Sequence, residues 1–176
     1  KKNNYFNKTN IFPLDSEHYS LFEFFKMNNS KNQIKKIILT ASGGPFYKKK
    51  FNDLKNVTYN EAIKHPKWNM GKNNSIDSSN FINKILEIYE LSIIYDVDIS
   101  KVDFLISKEA YIHSIIFYKD GSVIFNCFEN NMLITLSSPL RIFFNLKKIP
   151  ISKKYLSIKN FKLEEFNDYR FKLKKY

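Results

Sequence analysis

The sequence predicts an α+β domain, a mixed sheet with hairpin-joined strands packed against helices. Three observations carry that prediction. Apolar residues recur at helical spacing in HYSLFEFFKMN and through NFINKILEIYELSIIYD. Separate runs rich in Ile, Val and Phe, such as QIKKIILTA and HSIIFY, have strand character. Asp120-Gly121, set between two such runs, is a strong hairpin signal. Helices and hairpin strands in one chain make an α+β domain.

Taken in order, NNYFNKTN is a polar lead-in and IFPLDSE reads as a short strand ending in acids. Tyr19, Phe22 and Phe25 then fall on one helical face. QIKKIILTASGG is a strand running into a turn of small residues. Thr58 and Glu61 form a capping-box pattern for a short helix that Pro66 stops. SIDSSNFINKILEIYELSIIYD is the clearest helix, with Ser78 as N-cap and Phe81, Ile85, Ile88 and Tyr89 as its apolar stripe. VDFLIS and HSIIFYKDGSVIFNCF supply further strands, and from Ile142 the tail reads as basic and irregular.

The totals narrow the possibilities. A chain of 176 residues with 43% hydrophobic residues, 17 Phe and 11 Tyr suits one domain with a real core. No apolar run is long enough to span a bilayer, so no membrane partner is expected. The chain opens on Lys1 without a Met or a signal-like segment, which marks it as a piece of a longer protein and gives no compartment. A single cysteine excludes an internal disulfide and a Cys-based zinc site; Cys127, in VIFNCF, is expected to be a small buried hydrophobe. The net charge of +12 comes from dispersed Lys with little Arg, alongside inflated Asn, Ile, Phe and Tyr. That is a compositional bias rather than a basic face, and no nucleic-acid partner is expected.

Several short stretches carry chemistry. In an extended DSE, Asp15 and Glu17 share a face, where two carboxylates repel unless a cation intervenes; a hard divalent ion suits them. Alone, the tripeptide reads as a solvated turn or an N-cap. Asn83, Lys84 and Glu87 lie on one helix face, able to hold a phosphate at Lys84 and a metal at Glu87, although the spacing alone favours an ordinary surface ion pair. TASGGPF offers backbone N–H groups to an anion at a turn, without a Walker or dinucleotide pattern. His18 can orient Glu17, His113 begins a strand, and no His-x-x-x-His pair suggests zinc. KHPKWNMGK sets the only Trp, Trp68, on a basic segment bracketed by Pro66 and Gly71.

In sequence order, PLDSEH, LTASGGPF, EAIKHPKWNMGK, SIDSSNFINKILE and IHSIIFYKDGSV resemble the 1-deoxy-D-xylulose 5-phosphate reductoisomerase family. That family shows VDSEH, SGGPF, HPxWxMG, VDSATMMNKGLE and IHSMVxYxDGSV in the same succession. The resemblance runs from about Pro13 to Leu140 and covers the middle of the enzyme, its catalytic domain; the NADPH-binding Rossmann domain and the C-terminal helical domain are not found in this chain. KHPKW and DVD look most like forms from apicomplexan plastids, which implies an apicoplast location, or otherwise the bacterial cytoplasm.

The resemblance implies roles. Asp15, Glu17 and Glu87 would bind Mg²⁺ or Mn²⁺, a strand donating two ligands and a helix the third. Ser16, Glu17 and Lys84 would meet substrate oxygens; Ser42, Ser78, Asn83 and Lys84 would collect its phosphate, with His65 nearby. His113 would line the site, Glu90 would back the ligands, and Met132 and Gly71 would approach NADPH. Trp68 would close as a lid, so that Lys84, His113, Trp68 and His65 form the catalytic set. The implied reaction rearranges 1-deoxy-D-xylulose 5-phosphate and reduces it with NADPH to 2-C-methyl-D-erythritol 4-phosphate, in a homodimer. Departures stand at Ile85 (Gly in the family), Ala110 (Ser), Asn130-Asn131 (Pro-Asp) and Asn73 (Lys). They raise the alternative of a diverged, non-catalytic relative retained for binding or dimerisation.

Overall fold

The structure is a computed structural model and describes residues 11–27, 31–65, 71–145 and 162–165. The strands are β1 (Ile34–Ala41), β2 (Val102–Ile106), β3 (Ile112–Tyr118) and β4 (Val123–Cys127). The helices are α1 (Ser16–Met27), α2 (Tyr59–Ala62), α3 (Lys72–Ser79), α4 (Ile82–Tyr95) and α5 (Met132–Phe143). The four strands form one sheet in the order β2-β1-β3-β4. β1 runs parallel to β2, from Ile37 opposite Val102 to Ala41 opposite Ile106, and antiparallel to β3. The sheet is therefore mixed and carries helices, as an α+β domain requires.

β1 is the central strand, and its near-continuous apolar run suits a position buried on both faces. Ile37, Leu39 and Ala41 face α1 and α4, packing with Leu21, Phe24, Leu91 and Tyr95. Ile38 faces the other way, with Ile112 and Ile115. The β3–β4 hairpin forms at Asp120-Gly121: Asp120 Oδ1 accepts from the Ser122 N–H at 2.9 Å, and Gly121 takes a φ of 88°. The capping box at α2 also forms, with Thr58 N–H donating to Glu61 Oε2 at 2.8 Å.

Four expectations are corrected. IFPLDSE is not a strand. Asp15 Oδ1 accepts from the N–H groups of Glu17 (3.0 Å) and His18 (3.2 Å), so the acid caps α1, as the N-cap reading of the tripeptide expects. The long helix from Ser78 is two helices. Ser78 lies inside α3, and the chain breaks at Phe81, whose φ of 65° drops its ring into the core against Phe104. The inward stripe of α4 is consequently Lys84, Glu87, Leu91 and Tyr95, while Tyr89 is exposed.

Cys127 is exposed, because it shares the outward face of the edge strand β4 with Val123 and Phe125. Finally, the region before the tail holds α5, capped by Asn131 Oδ1 accepting from the Leu133 N–H at 3.0 Å. Pro139 inside it masks the helical pattern, and the helix includes Ile142 and Phe143. Further along, Glu164 bridges the outer edge of β2, exchanging two 2.9 Å backbone hydrogen bonds with Ile106.

Candidate metal and anion site

Asp15 and Glu17 enter the site from the start of α1, and Lys84 and Glu87 from the inward stripe of α4. The first turn of α1 abuts that stripe, so the two ligand-bearing elements are both helix segments, not a strand and a helix. One carboxylate oxygen each from Asp15, Glu17 and Glu87 lies within 4.8 Å of the others. Lys84 stands among them, its Nζ 2.7 Å from Glu17 Oε1 and 2.5 Å from Glu87 Oε2. Asn83 Nδ2 donates to Glu87 Oε1 at 2.5 Å, and Ser16 Oγ donates to Glu17 Oε2. Lys84 is 6% exposed and Glu87 4%, so this is no solvated surface pair.

The electrostatics follow from crowding acids together. Burial pushes the Asp15 carboxyl up to about 6, and the Glu17 charge pushes the same way. Burial also opposes ionisation of Glu17, yet Lys84 outweighs it and holds Glu17 at about 2. Glu87 is raised well above the carboxylate range, by burial first and by Asp15 and Glu17 against the pull of Lys84. Lys84 itself is raised, its three carboxylate neighbours overcoming burial. The cluster thus binds extra positive charge, protons and an ammonium, which a divalent cation can replace. Three hard oxygen donors fit Mg²⁺ or Mn²⁺.

An anion-receiving wall adjoins the cluster. β1 runs out into Ser42-Gly43-Gly44, where both glycines have positive φ, 103° and 66°. A Cβ on Gly44 would lie 2.7 Å from the Ser78 carbonyl oxygen, so only glycine lets the turn approach α3 this closely. Ser42 Oγ meets His65 Nε2 at 3.1 Å, and burial lowers the His65 pKa, favouring the neutral ring. Asp15, Ser16, Glu17, Ser42, His65, Gly71, Ser78, Asn83, Lys84, Glu87, His113 and Met132 all line one cavity of about 340 Å³. His113 is 2% exposed, stacked on Phe128 at 3.8 Å, and donates from Nε2 to the Phe128 carbonyl at 3.3 Å. Trp68, with Pro66 and Met70, lies outside the described residues.

Sequence reasoning missed Thr40, Asn74 and Phe81 as cavity-lining residues. Phe81 borders the cavity at its backbone reversal, and no motif announces that break. Of the departures from the family pattern, Ala110 lines the cavity with a φ of 54°. Asn131 serves as the α5 cap and Asn130 Nδ2 donates to the Glu109 carbonyl at 3.0 Å. Ile85 is half-buried and Asn73 exposed.

Residues 11–95 match the family model of the 1-deoxy-D-xylulose 5-phosphate reductoisomerase C-terminal domain. The 1-deoxy-D-xylulose 5-phosphate reductoisomerase of Clostridium tetani is 51% identical over 124 residues, 70% of this chain and 32% of that protein. The Sulfurihydrogenibium protein of the same name is 39% identical over 156 residues, 89% of this chain and 40% of that protein. The chain belongs to the 1-deoxy-D-xylulose 5-phosphate reductoisomerase family.

Solved reductoisomerases share the fold. A crystal structure of DOX-P reductoisomerase in complex with NADPH, fosmidomycin and magnesium superposes with a TM-score of 0.73 at 27% identity, covering 92% of this chain and 42% of that one. The Zymomonas mobilis reductoisomerase in complex with NADPH matches with a TM-score of 0.73 at 29% identity, covering 91% and 41%. This chain spans between 32% and 40% of the two curated reductoisomerases named above. Both are bacterial and give the plastid expectation no support. Among the described residues, no helix is long and apolar enough to cross a membrane.

Proposed function

We propose that this chain is the metal- and substrate-binding catalytic domain of a 1-deoxy-D-xylulose 5-phosphate reductoisomerase, serving isoprenoid biosynthesis by the non-mevalonate route. The substrate would be 1-deoxy-D-xylulose 5-phosphate and the product 2-C-methyl-D-erythritol 4-phosphate. The observation that carries the proposal is the convergence of Asp15, Glu17 and Glu87 within 4.8 Å, beside a glycine turn in one cavity.

On this reading Asp15, Glu17 and Glu87 hold Mg²⁺ or Mn²⁺. The ion supplies Lewis-acid polarisation of a chelating substrate oxygen. Ser16, Glu17 and Lys84 orient the oxygens at that end. Ser42, Ser78, Asn83 and Lys84 receive the phosphate beside a neutral His65, so that binding at the remote end aligns the reacting carbons. His113 forms an apolar-backed wall, and Trp68 closes over the substrate to exclude water. Met132 and Gly71, which line the cavity, would border NADPH, itself held mainly by a domain outside this chain. A homodimer is part of the proposal, supported by exposed Val123 and Phe125 on the edge strand β4. Sedimentation of the chain with and without Phe125→Lys tests that contact, a shift to monomer being the expected result.

Calorimetry with Mn²⁺ and a hydroxamate phosphonate tests the site itself. Phosphonate binding is expected to require Mn²⁺, and Glu87→Ala to remove it. Binding that ignores Mn²⁺ would refute the reading. Ala110, lining the cavity without the hydroxyl of the family pattern, favours a second reading, a relative that binds but does not turn over. Turnover of the sugar phosphate with NADPH by the full-length protein decides between them.

A further inference from the structure

Whether three carboxylates can share one ion depends on how α1 is held against α4. Lys84 bonds Glu17 and Glu87, while Asp15 is held as a cap through the N–H groups of Glu17 and His18. Left to their charges, the acids push the first turn of α1 away. Ties outside the cluster must oppose that.

Such ties exist on the same inward stripe of α4. Tyr95 follows Glu87 by eight residues, about 12 Å along the axis. It is 6% exposed and does not belong to the cavity lining. Its Oη donates at 2.6 Å to the carbonyl of His18, the residue after Glu17. The His18 N–H in turn donates to Asp15 Oδ1 at 3.2 Å. The His18 ring is buried and meets Glu90 Oε2 through Nε2 at 3.1 Å, while its Nδ1 has no partner among the described residues. The ring proton is therefore best used on Nε2, donating to Glu90. Tyr95 is held in place by stacking on Phe25 at 5.0 Å, and burial raises its phenol well above the ordinary value, so it remains a donor.

We infer that Tyr95 is a positioning residue for the carboxylate cluster: acting through His18, with Glu90 as a second tie, it fixes the start of α1 so that Asp15 and Glu17 face Glu87. The inference rests on the metal-site reading above. Residues facing away from the ion set its affinity by fixing ligand geometry, typically a 10- to 100-fold effect on metal binding.

The test is Mn²⁺ affinity of the chain by calorimetry, with the electron paramagnetic resonance spectrum of the bound ion. Tyr95→Phe keeps the ring and removes only the donor; it is expected to weaken Mn²⁺ about tenfold and alter the spectrum. Glu90→Ala, at a half-exposed side chain that folding tolerates, is expected to weaken it as well, and Glu90→Gln, which still accepts, to restore most of the affinity. Ile116→Val, in the sheet core away from the site, controls for general softening and is expected to leave Mn²⁺ affinity unchanged. Wild-type affinity and spectrum in Tyr95→Phe would overturn the inference, as would equal weakening in Ile116→Val. A wild-type chain that binds no Mn²⁺ would overturn the metal-site reading and this inference together, and that outcome is visible before any substitution is made.

Discussion

Asp15 is both the cap of a helix and a member of an acid cluster, and the two tasks pull on its proton in opposite directions. The cap favours the carboxylate, whereas burial and Glu17 favour the acid and hold its pKa at about 6, above the ordinary 3.8. A cation must displace that proton. Glu87, raised as well, must lose its proton too, so Mn²⁺ affinity is expected to rise with pH across the neutral range and to fall at least about tenfold per pH unit below 6. For the metal-free chain the sign reverses: a raised acid stabilises the fold at low pH, and that contribution is lost as pH rises from 3.8 through 6. Calorimetric titrations and melting curves at pH 5 and 7 check both; Asp15→Asn should reduce the pH dependence of metal-free stability and, by removing a ligand, weaken Mn²⁺ at both pH values. Gly44 is the second residue with a sharp expectation. Its φ of 66° and the 2.7 Å approach of Ser78 O leave no room for a methyl group, so Gly44→Ala should destabilise by more than about 2 kcal/mol and weaken phosphonate binding. Denaturant melts and calorimetry measure the two losses. The Gly-Gly pair was visible in the sequence as an anion turn; the helix it leans against was not, because nothing local encodes that contact.

The break between α3 and α4 decides which groups of α4 face inward. Phe81 occupies a left-handed conformation to put a 2% exposed ring into the core. Phe81→Ala should cost about 3–5 kcal/mol from the lost ring. Phe81→Gly loses the same ring but relaxes the backbone, so it should be less damaging than Ala by about 1 kcal/mol, the reverse of the helix-propensity order. Chemical denaturation of the two variants checks the order. The strands, the hairpin and the α2 capping box were legible because each is written in a few neighbouring residues. Elements whose shape depends on distant partners were not. The long helix from Ser78 reads as unbroken until the Phe81 ring finds Phe104, and Cys127 reads as buried until β4 proves to be an edge, whereas the N-cap reading of DSE, a local contact, holds. The site fared better than the elements around it: its motif residues, Trp68 aside, meet in one cavity, even though two of the three acids come from an unexpected helix end.

The cavity sits where the parallel strands β1 and β2 finish and the chain leaves them as turns, the end of a sheet at which backbone groups and side chains from several segments can converge. Glu164 closes the outer edge of β2 at this same end, accepting from Tyr47 Oη and Lys108 Nζ, and the Tyr47 ring would touch any side chain placed on Gly43. Lys84 links that architecture to the stability of the molecule as a whole. Substituting methionine leaves three crowded acids without their ammonium, and Lys84→Met should lower the stability of the metal-free chain by about 3–5 kcal/mol at neutral pH. Added Mn²⁺ should recover much of the loss, which melting curves with and without the ion would measure. The native chain needs no such rescue. It carries its own substitute for the ion, a tethered cation that can occupy the acids while the ion is away, so a chelator should strip the protein of metal and leave it folded and ready to be reloaded.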